Sequence, residues 1–430
     1  MIESNSREQA SLSGASPNDR IKCRYLLIVN IPLYTDSTGQ HYADQLWFKD
    51  LTEHLSYIEN FSIACPHLVR DPPLHARSLE SDSRYSKVNF VKLPGASSVG
   101  GALLSLPVTI WKLWQAILDT DVVHCGVAGW PIPLGWIAIP LSVLLRKKIV
   151  TIVESAPWRL QQGLSSSLKT QLRSAVHEHI ARWCMNRTDL AIFTQEEYRK
   201  SLLSDNHRGR GHVIHASWID EAVILSNQEF DRVWQRKMAE NVAGIRVLYA
   251  GRLDVEKGVL VLLEAINRIS KKNISLELGI LGTGVLAETC RAFADKLSGP
   301  TCVRMMGTVQ YGLPLYEVIQ QFHLLVVPSL SDEQPRIVYD AYSQGVPVLS
   351  TNTAGLRDCV FEGRTGRLVE PNNAALLSQA LEKEAVAPQE LRSMGLGALS
   401  VARAMTHQRM HRLRQHLLSE MLDDTVAKKR

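Results

Sequence analysis

The chain has little that would hold it together covalently or around a structural metal. Its 430 residues include seven cysteines, at positions 23, 65, 125, 184, 290, 302 and 359. Their number is odd, their positions are scattered and no two form a CxxC pair. That argues against a disulfide framework and a zinc knuckle, and favours a reducing compartment. No histidine cluster with metal spacing is legible, nor a GxSxG, Ser/His/Asp or Cys/His constellation, so hydrolases built on an activated nucleophile lose their support. An excess of one charge is lacking too. Residues 1–222 carry 23 basic and 21 acidic side chains, and residues 223–430 carry 25 and 22. Neither half is a basic face for nucleic acid, and the net charge of +5 allows only weak peripheral attraction to an anionic membrane. Residues 1–20 are rich in Ser, Asn, Gly and Asp and have no apolar stretch, so they read as a loose tail and not as a signal peptide.

Membrane spans are also scarce. The uncharged run Gly129–Leu145 reaches only 17 residues and contains Pro131, Pro133 and Pro140, the short end for a span. It lies between two strand-like runs, Asp121–His124 and Lys148–Val153, and reads as a buried helix packed on a parallel sheet.

What is present is alternation. A length of 430 residues with 45% hydrophobic and 21% charged side chains fits two globular domains of about 200 residues each. Strand candidates in the first half are Tyr25–Asn30, Phe61–Ala64, Val88–Val91, Val122–His124, Ile149–Val153, Leu190–Phe193 and His212–His215. Helical patterns fall between several of them, one over 41–58 and a basic one over Ser167–Asn186. After a polar stretch the pattern restarts. Strands at Ile245–Ala250, Ser275–Leu281, Cys302–Met306, Leu324–Val327 and Val346–Ser350 alternate with helices at Leu260–Ile269, Val285–Leu297 and Arg336–Gln344. Strand–helix alternation predicts doubly wound α/β domains whose ligands sit at the carboxyl ends of the strands. The final segment, Ala402–Asp424, reads as one basic and apolar helix.

The chemistry-bearing residues gather in the second half. Gly251, Arg252 and Lys257 follow the strand Ile245–Ala250 and precede a helix. A helix N-terminus with two cations beside it suits a diphosphate, although two solvated surface cations would show the same pattern. Asp332 and Asp340 are eight positions apart. Asp340 stands four residues after Arg336, so an internal ion pair is its plain structural reading. Gly282-Thr-Gly284-Val-Leu-Ala287 has the form GxGxxA, but the next strand carries no acid for a ribose, and a tight strand–helix turn explains it better. Asp119-Thr-Asp121 reads as a helix-to-strand turn and not as a metal-binding DxD. His124 ends a strand at the expected ligand edge; a structural role competes with a catalytic one. Gly39 sits between the first strand and the first helix, as a turn that could also let a phosphate approach the backbone.

In this order and spacing, Gly251–Gly258, Leu281–Gly284, Met306–Val309, Pro328-Ser329, Asp332, Asp340-Ala341, Gly345–Val348 and Ala354–Asp358 resemble the retaining GT-B glycosyltransferases of family 4, the "group 1" family. The resemblance covers about 245–380. It implies two Rossmann-like doubly wound domains facing a central cleft: an acceptor domain over 21–222, with the helix 402–430 packing back on it, and a nucleotide-sugar domain over 223–401. The implied reaction moves a sugar from a nucleotide diphosphate sugar to a hydroxyl of a glycan, lipid-linked or small-molecule acceptor, with retention. It implies no cofactor and no metal, and a cytoplasmic protein, peripheral at the inner face of the membrane. Arg252 and Lys257 would grip the diphosphate. Gly307, Thr308 and Val309 would meet the base, and Asp340 the ribose. Amides at Gln334, Pro335-Arg336 and Ile337 would face the phosphate or sugar, and Asp332 the transferred sugar. Gly39 matches part of a glycine pair in the acceptor domain.

Two departures stand out. The family's paired acids are usually both glutamate, and aspartate is one methylene shorter, about 1.5 Å, so the sugar must sit closer or a water must bridge. A histidine common in the family two positions beyond His124 is Gly126 here. Rival readings are a GT-B sugar-nucleotide epimerase, an NAD-dependent oxidoreductase and an inactive sugar-nucleotide-binding protein.

Overall fold

The computed structural model describes residues 20–427 apart from 74, 130, 160–166, 206, 208, 240–243 and 332. The tail 1–19 and Asp332 therefore lie outside the described residues. The chain divides into two compact units. Unit 1 comprises Met1–Leu160, Ser165–Ile214 and Met410–Arg430, and unit 2 comprises Gln161–Leu164 and His215–Arg409. The break falls at Ile214/His215, eight residues before the expected boundary.

Unit 1 contains β1 (Ile21–Ile28), β2 (Leu33–Thr35), β3 (His41–Asp44), β4 (Ile58–Val69), β5 (Ala76–Ser78), β6 (Asn89–Pro94), β7 (Val122–Cys125), β8 (Lys148–Val153), β9 (Leu190–Phe193) and β10 (Arg210–Val213). The parallel core runs β6-β4-β1-β7-β8-β9-β10. Every residue of β7 and β9 is buried, as expected where helices cover both faces of a parallel sheet. Trp47, Leu51 and Leu55 of the helix Gln45–Tyr57 pack on one face together with Met410, Leu417, Leu418 and Met421. Leu113 and Ile117, Ala138 and Ile139, Ala181 and Cys184, and Tyr198 and Leu202 cover the other, from the helices Val99–Leu118, Gly135–Leu144, Leu168–Met185 and Glu196–Leu202.

Three expectations need correction. The helix expected over 41–58 starts at Gln45, where the Asp44 carboxylate accepts from the Leu46 and Trp47 amides and caps it. The residues before it form β3, antiparallel to β2. Gly39, with φ +87°, therefore turns a β2–β3 hairpin and does not join the first strand to the first helix. Finally, Ala402–Asp424 is not one helix. The helix Pro388–Ala404 stops, Thr406 Oγ1 accepts from the Arg409 amide at 3.2 Å, and a new helix runs His407–Ala427. That threonine cap supplies the local reason for the break.

Unit 2 contains β11 (Ile245–Ala250), β12 (Leu276–Leu281), β13 (Thr301–Gly307), β14 (Leu324–Val327), β15 (Val348–Thr351) and β16 (Gly366–Val369), ordered β13-β12-β11-β14-β15-β16 and all parallel. The helix Val259–Ser270 buries Val259, Leu262, Leu263, Ala265, Ile266 and Ile269, an apolar stripe at helical spacing. The winding direction reverses between β11 and β14. Such a switch point, outside the carboxyl ends of the two strands, is where a doubly wound sheet forms its ligand crevice.

Candidate functional site

The crevice between β11 and β14 is held by backbone. The Leu330 amide donates to the Glu256 carbonyl at 2.9 Å, which ties the loop after β14 to the loop after β11. Gly258 makes that approach possible. Its φ is +71°, and a Cβ there would overlap the Pro328 carbonyl oxygen, so both conformation and space demand glycine. Tyr249, buried at the end of β11, donates its hydroxyl to the Arg252 carbonyl at 2.6 Å and fixes the turn through Gly251. The Gly282–Gly284 turn packs against the same loop: the Leu253 amide donates to the Thr283 carbonyl and the Leu286 amide to the Leu253 carbonyl, both at 2.9 Å. The GxGxxA sequence is thus a close-packed strand–helix turn.

The two cations sit differently. The Arg252 side chain is 65% exposed and lies 2.7 Å from Glu256 and 3.1 Å from Asp254. Lys257 is only 22% exposed, with Nζ 3.4 Å from Glu333 and 4.0 Å from Glu256. Exposed pairs of this kind contribute about 0–1 kcal/mol, so both cations can exchange a carboxylate for a stronger anion at little cost. Neither Glu256 nor Glu333 was legible in the sequence as a partner of these cations. Glu256 stands four positions after Arg252, whereas the Glu333 contact depends on two loops meeting across 76 positions.

On the other side of β11, β13 ends at Gly307 (φ +69°), and Gly307, Thr308 and Val309 are exposed. The same loop carries Tyr311, whose hydroxyl donates to Asp340 Oδ1 at 3.1 Å. Tyr316 approaches the Tyr311 hydroxyl at 3.4 Å. Burial, and then the Asp340 charge, push both phenols well above their usual range, so they stay protonated donors. Asp340 itself is buried, in the short helix Ile337–Ser343. The Arg336 guanidinium lies over the Trp218 ring at 4.6 Å. Gln334 Oε1 accepts from the Ala216 amide at 3.2 Å. Pro335 and Ile337 are half-buried around it.

Of the remaining candidates in unit 1, Gly39 is exposed on its hairpin and His124 is interior. His124 is 6% exposed, with Nδ1 2.8 Å from the Tyr25 hydroxyl, and burial holds its pKa well below the usual histidine value. The sequence reading set it facing a ligand; instead its ring lies in the interior, because β7 is covered on both faces. Beyond it, Asp50, His54 and His411 bring metal-type atoms within 4.8 Å of one another. These atoms already serve each other: His411 Nε2 is 3.0 Å from Asp50 Oδ1, His54 Nδ1 is 2.8 Å from the Asp50 carbonyl, and Arg414 lies 3.4 Å from the same carboxylate. This is a buried structural network closed by a residue 361 positions away, which no local pattern announces. Asp121, read as part of a turn, is tied to Arg24 at 2.7 Å and occupies that turn.

Comparisons with known proteins bear on the family and the fold. The family described as "Glycosyl transferases group 1" matches residues 244–384. The putative glycosyltransferase EpsD of Bacillus subtilis is 21% identical over 67% of this chain and 74% of its own length. The uncharacterized glycosyltransferase MJ1178 of Methanocaldococcus jannaschii is 21% identical over 78% and 87%. Among solved structures, Anabaena Alr3699/HepE in complex with UDP superposes with a TM-score of 0.62 at 14% identity, covering 94% of this chain and 100% of that one. Sucrose-phosphate synthase from Thermosynechococcus elongatus gives 0.65 at 16% identity, covering 93% and 99%. Residues 244–384 thus match the group 1 glycosyltransferases, and the fold is of the GT-B type.

Proposed function

We propose that the protein transfers a sugar from a nucleotide diphosphate sugar to an acceptor hydroxyl, with retention and without a required metal. The observation that carries this reading is the crevice between β11 and β14, where Lys257 and Arg252 stand beside the loop Pro328–Arg336. In the proposed complex the donor's diphosphate displaces Glu256 and Glu333 from the two cations. Charge-assisted bonds to Arg and Lys contribute roughly 1.5–3 kcal/mol each, more than the exposed carboxylate pairs they replace. Those bonds strengthen as the leaving group gains charge, which is what lowers the barrier. The amides of Gln334, Arg336 and Ile337 assist the same phosphate or the sugar, Pro335 having no N–H to give, and Asp332 takes the transferred sugar. The backbone of Gly307–Val309 meets the base. Asp340 takes the ribose hydroxyls once Tyr311 yields its bond, which couples the base loop to the ribose acid.

No side chain here stands out as a covalent nucleophile, so the proposed route is front-face displacement, with the departing phosphate accepting the acceptor's proton. The acceptor belongs to unit 1. Gly39 is its candidate backbone contact, and His124, being interior, acts through packing. UDP, bound in the HepE structure, makes uridine the first donor base to try. A thermal-shift screen of UDP-, GDP- and ADP-sugars tests the donor class: one nucleotide series should raise the melting temperature, and no shift with any of them would contradict the reading.

A further inference from the structure

The helix Val99–Leu118 is long and apolar enough to cross a membrane by length and composition, yet it is fixed on the surface of unit 1. Thr109, Leu113 and Ile117 are buried; they share one side of the helix and dock it on the sheet. The opposite side shows Leu104, Val108, Trp111 and Leu118, at helical spacing, and Leu104 and Trp111 are 87% and 61% exposed. Two neighbouring helices continue this face. Gly135–Leu144 ends in exposed Val143 and Leu144, and Leu168–Met185 exposes Leu168, Leu172, Val176 and Trp183. A patch of this kind is far from the scattered exposed apolar residues of an ordinary surface.

The charges around the patch are mostly basic, with Asp119 at the end of the helix Val99–Leu118 as an exposed acid. These three helices carry Lys112, Lys169, Arg173 and Arg182 against a single acid, Glu178. Glu178 is already held by Arg159 at 2.8 Å and Arg182 at 3.2 Å. Exposed Arg146 follows Leu144, and Arg187 covers the Trp183 ring at 4.2 Å. Apolar residues flanked by basic ones, on helices lying parallel to a surface, match the headgroup boundary of an anionic bilayer.

We infer that this face docks unit 1 on an anionic lipid surface, with the helix Val99–Leu118 lying in the interface and not across it. The helices Val99–Leu118 and Leu168–Met185 begin after the carboxyl ends of β6 and β8, so Leu104, Leu168 and Leu172 lie toward the sheet edge at which ligands bind. If unit 1 holds the acceptor, as proposed above, this orientation suits an acceptor carried on a lipid.

The test is sedimentation of the full chain with vesicles of phosphatidylcholine alone or mixed with phosphatidylglycerol, which requires no activity. The protein should partition onto the mixed vesicles, less so at high salt. Leu104→Glu with Trp111→Glu, and separately Leu168→Glu with Leu172→Glu, should each lower that partition by about tenfold or more, with melting curves like that of the parent. Parent protein that stays in the supernatant with both vesicle types would overturn the inference, as would folded variants that bind like the parent. Light scattering showing a dimer that Leu104→Glu with Trp111→Glu dissociates, without vesicle binding, would assign the face to a second copy instead.

Discussion

Arg252 and Lys257 differ in exposure but are asked for the same chemistry, and each can be removed without emptying a core. Either Arg252→Ala or Lys257→Ala should lower turnover by at least about tenfold, because each removes about 1.4 kcal/mol or more of leaving-group stabilisation; steady-state rates with the preferred donor read this directly. A third cation, this one buried, plays a structural part. Lys237 is 4% exposed, its Nζ has no hydrogen-bond partner, and it lies 4.6 Å from the Trp234 ring. Burial, and then Arg246 and Arg236, push its pKa down to about 7. The unfolded chain therefore binds more protons than the folded one between about pH 7 and the free lysine value, and stability rises with pH across that window. Lys237→Met should melt several degrees above the parent near neutral pH. The advantage should shrink as pH rises toward 10, as calorimetric melts at a series of pH values would show.

At the scale of elements, the turn at Gly258 is the feature on which the donor crevice depends. Gly258→Ala forces a left-handed residue to carry a Cβ that overlaps the Pro328 carbonyl. It should cost about 2 kcal/mol or more and weaken nucleotide binding by spreading the two loops, while an alanine at exposed Gly100, which has open space and no left-handed backbone, should do neither. Melting curves with and without nucleotide separate the two effects. This turn also shows what the sequence made legible. The apolar run Ile245–Ala250 is the observed β11 end to end, since strands covered on both faces are marked by uninterrupted burial. The hairpin around Gly39 was hidden because β2 pairs with His67–Val69, over thirty residues away. The Tyr311–Asp340 bond was hidden likewise, since it joins a loop to a helix 29 positions on. Nor did periodicity reveal that the apolar helix Val99–Leu118 leaves one side uncovered; that depends on what packs against it.

At the scale of the whole molecule, the last helix matters out of proportion to its position. From Met410 onward the chain belongs to unit 1, where Leu417, Leu418 and Met421 sit in the same core as Trp47 and Leu51. Arg210 pairs with Glu420 and Asp424 on the same helix. Leu417→Asp would bury an unpaired carboxylate and should destabilise unit 1 by about 3 kcal/mol or more, while unit 2 keeps its own core; limited proteolysis should then cut unit 1 first. The proposed activity rests on the crevice at β11 and β14. Its most direct test is calorimetric titration of the full chain, and of Lys257→Ala, with the nucleoside diphosphates UDP, GDP and ADP. The account predicts that one of the three binds the parent protein and binds the variant at least about tenfold more weakly. Equal affinity in the two proteins, or no binding by any of the three, would contradict it.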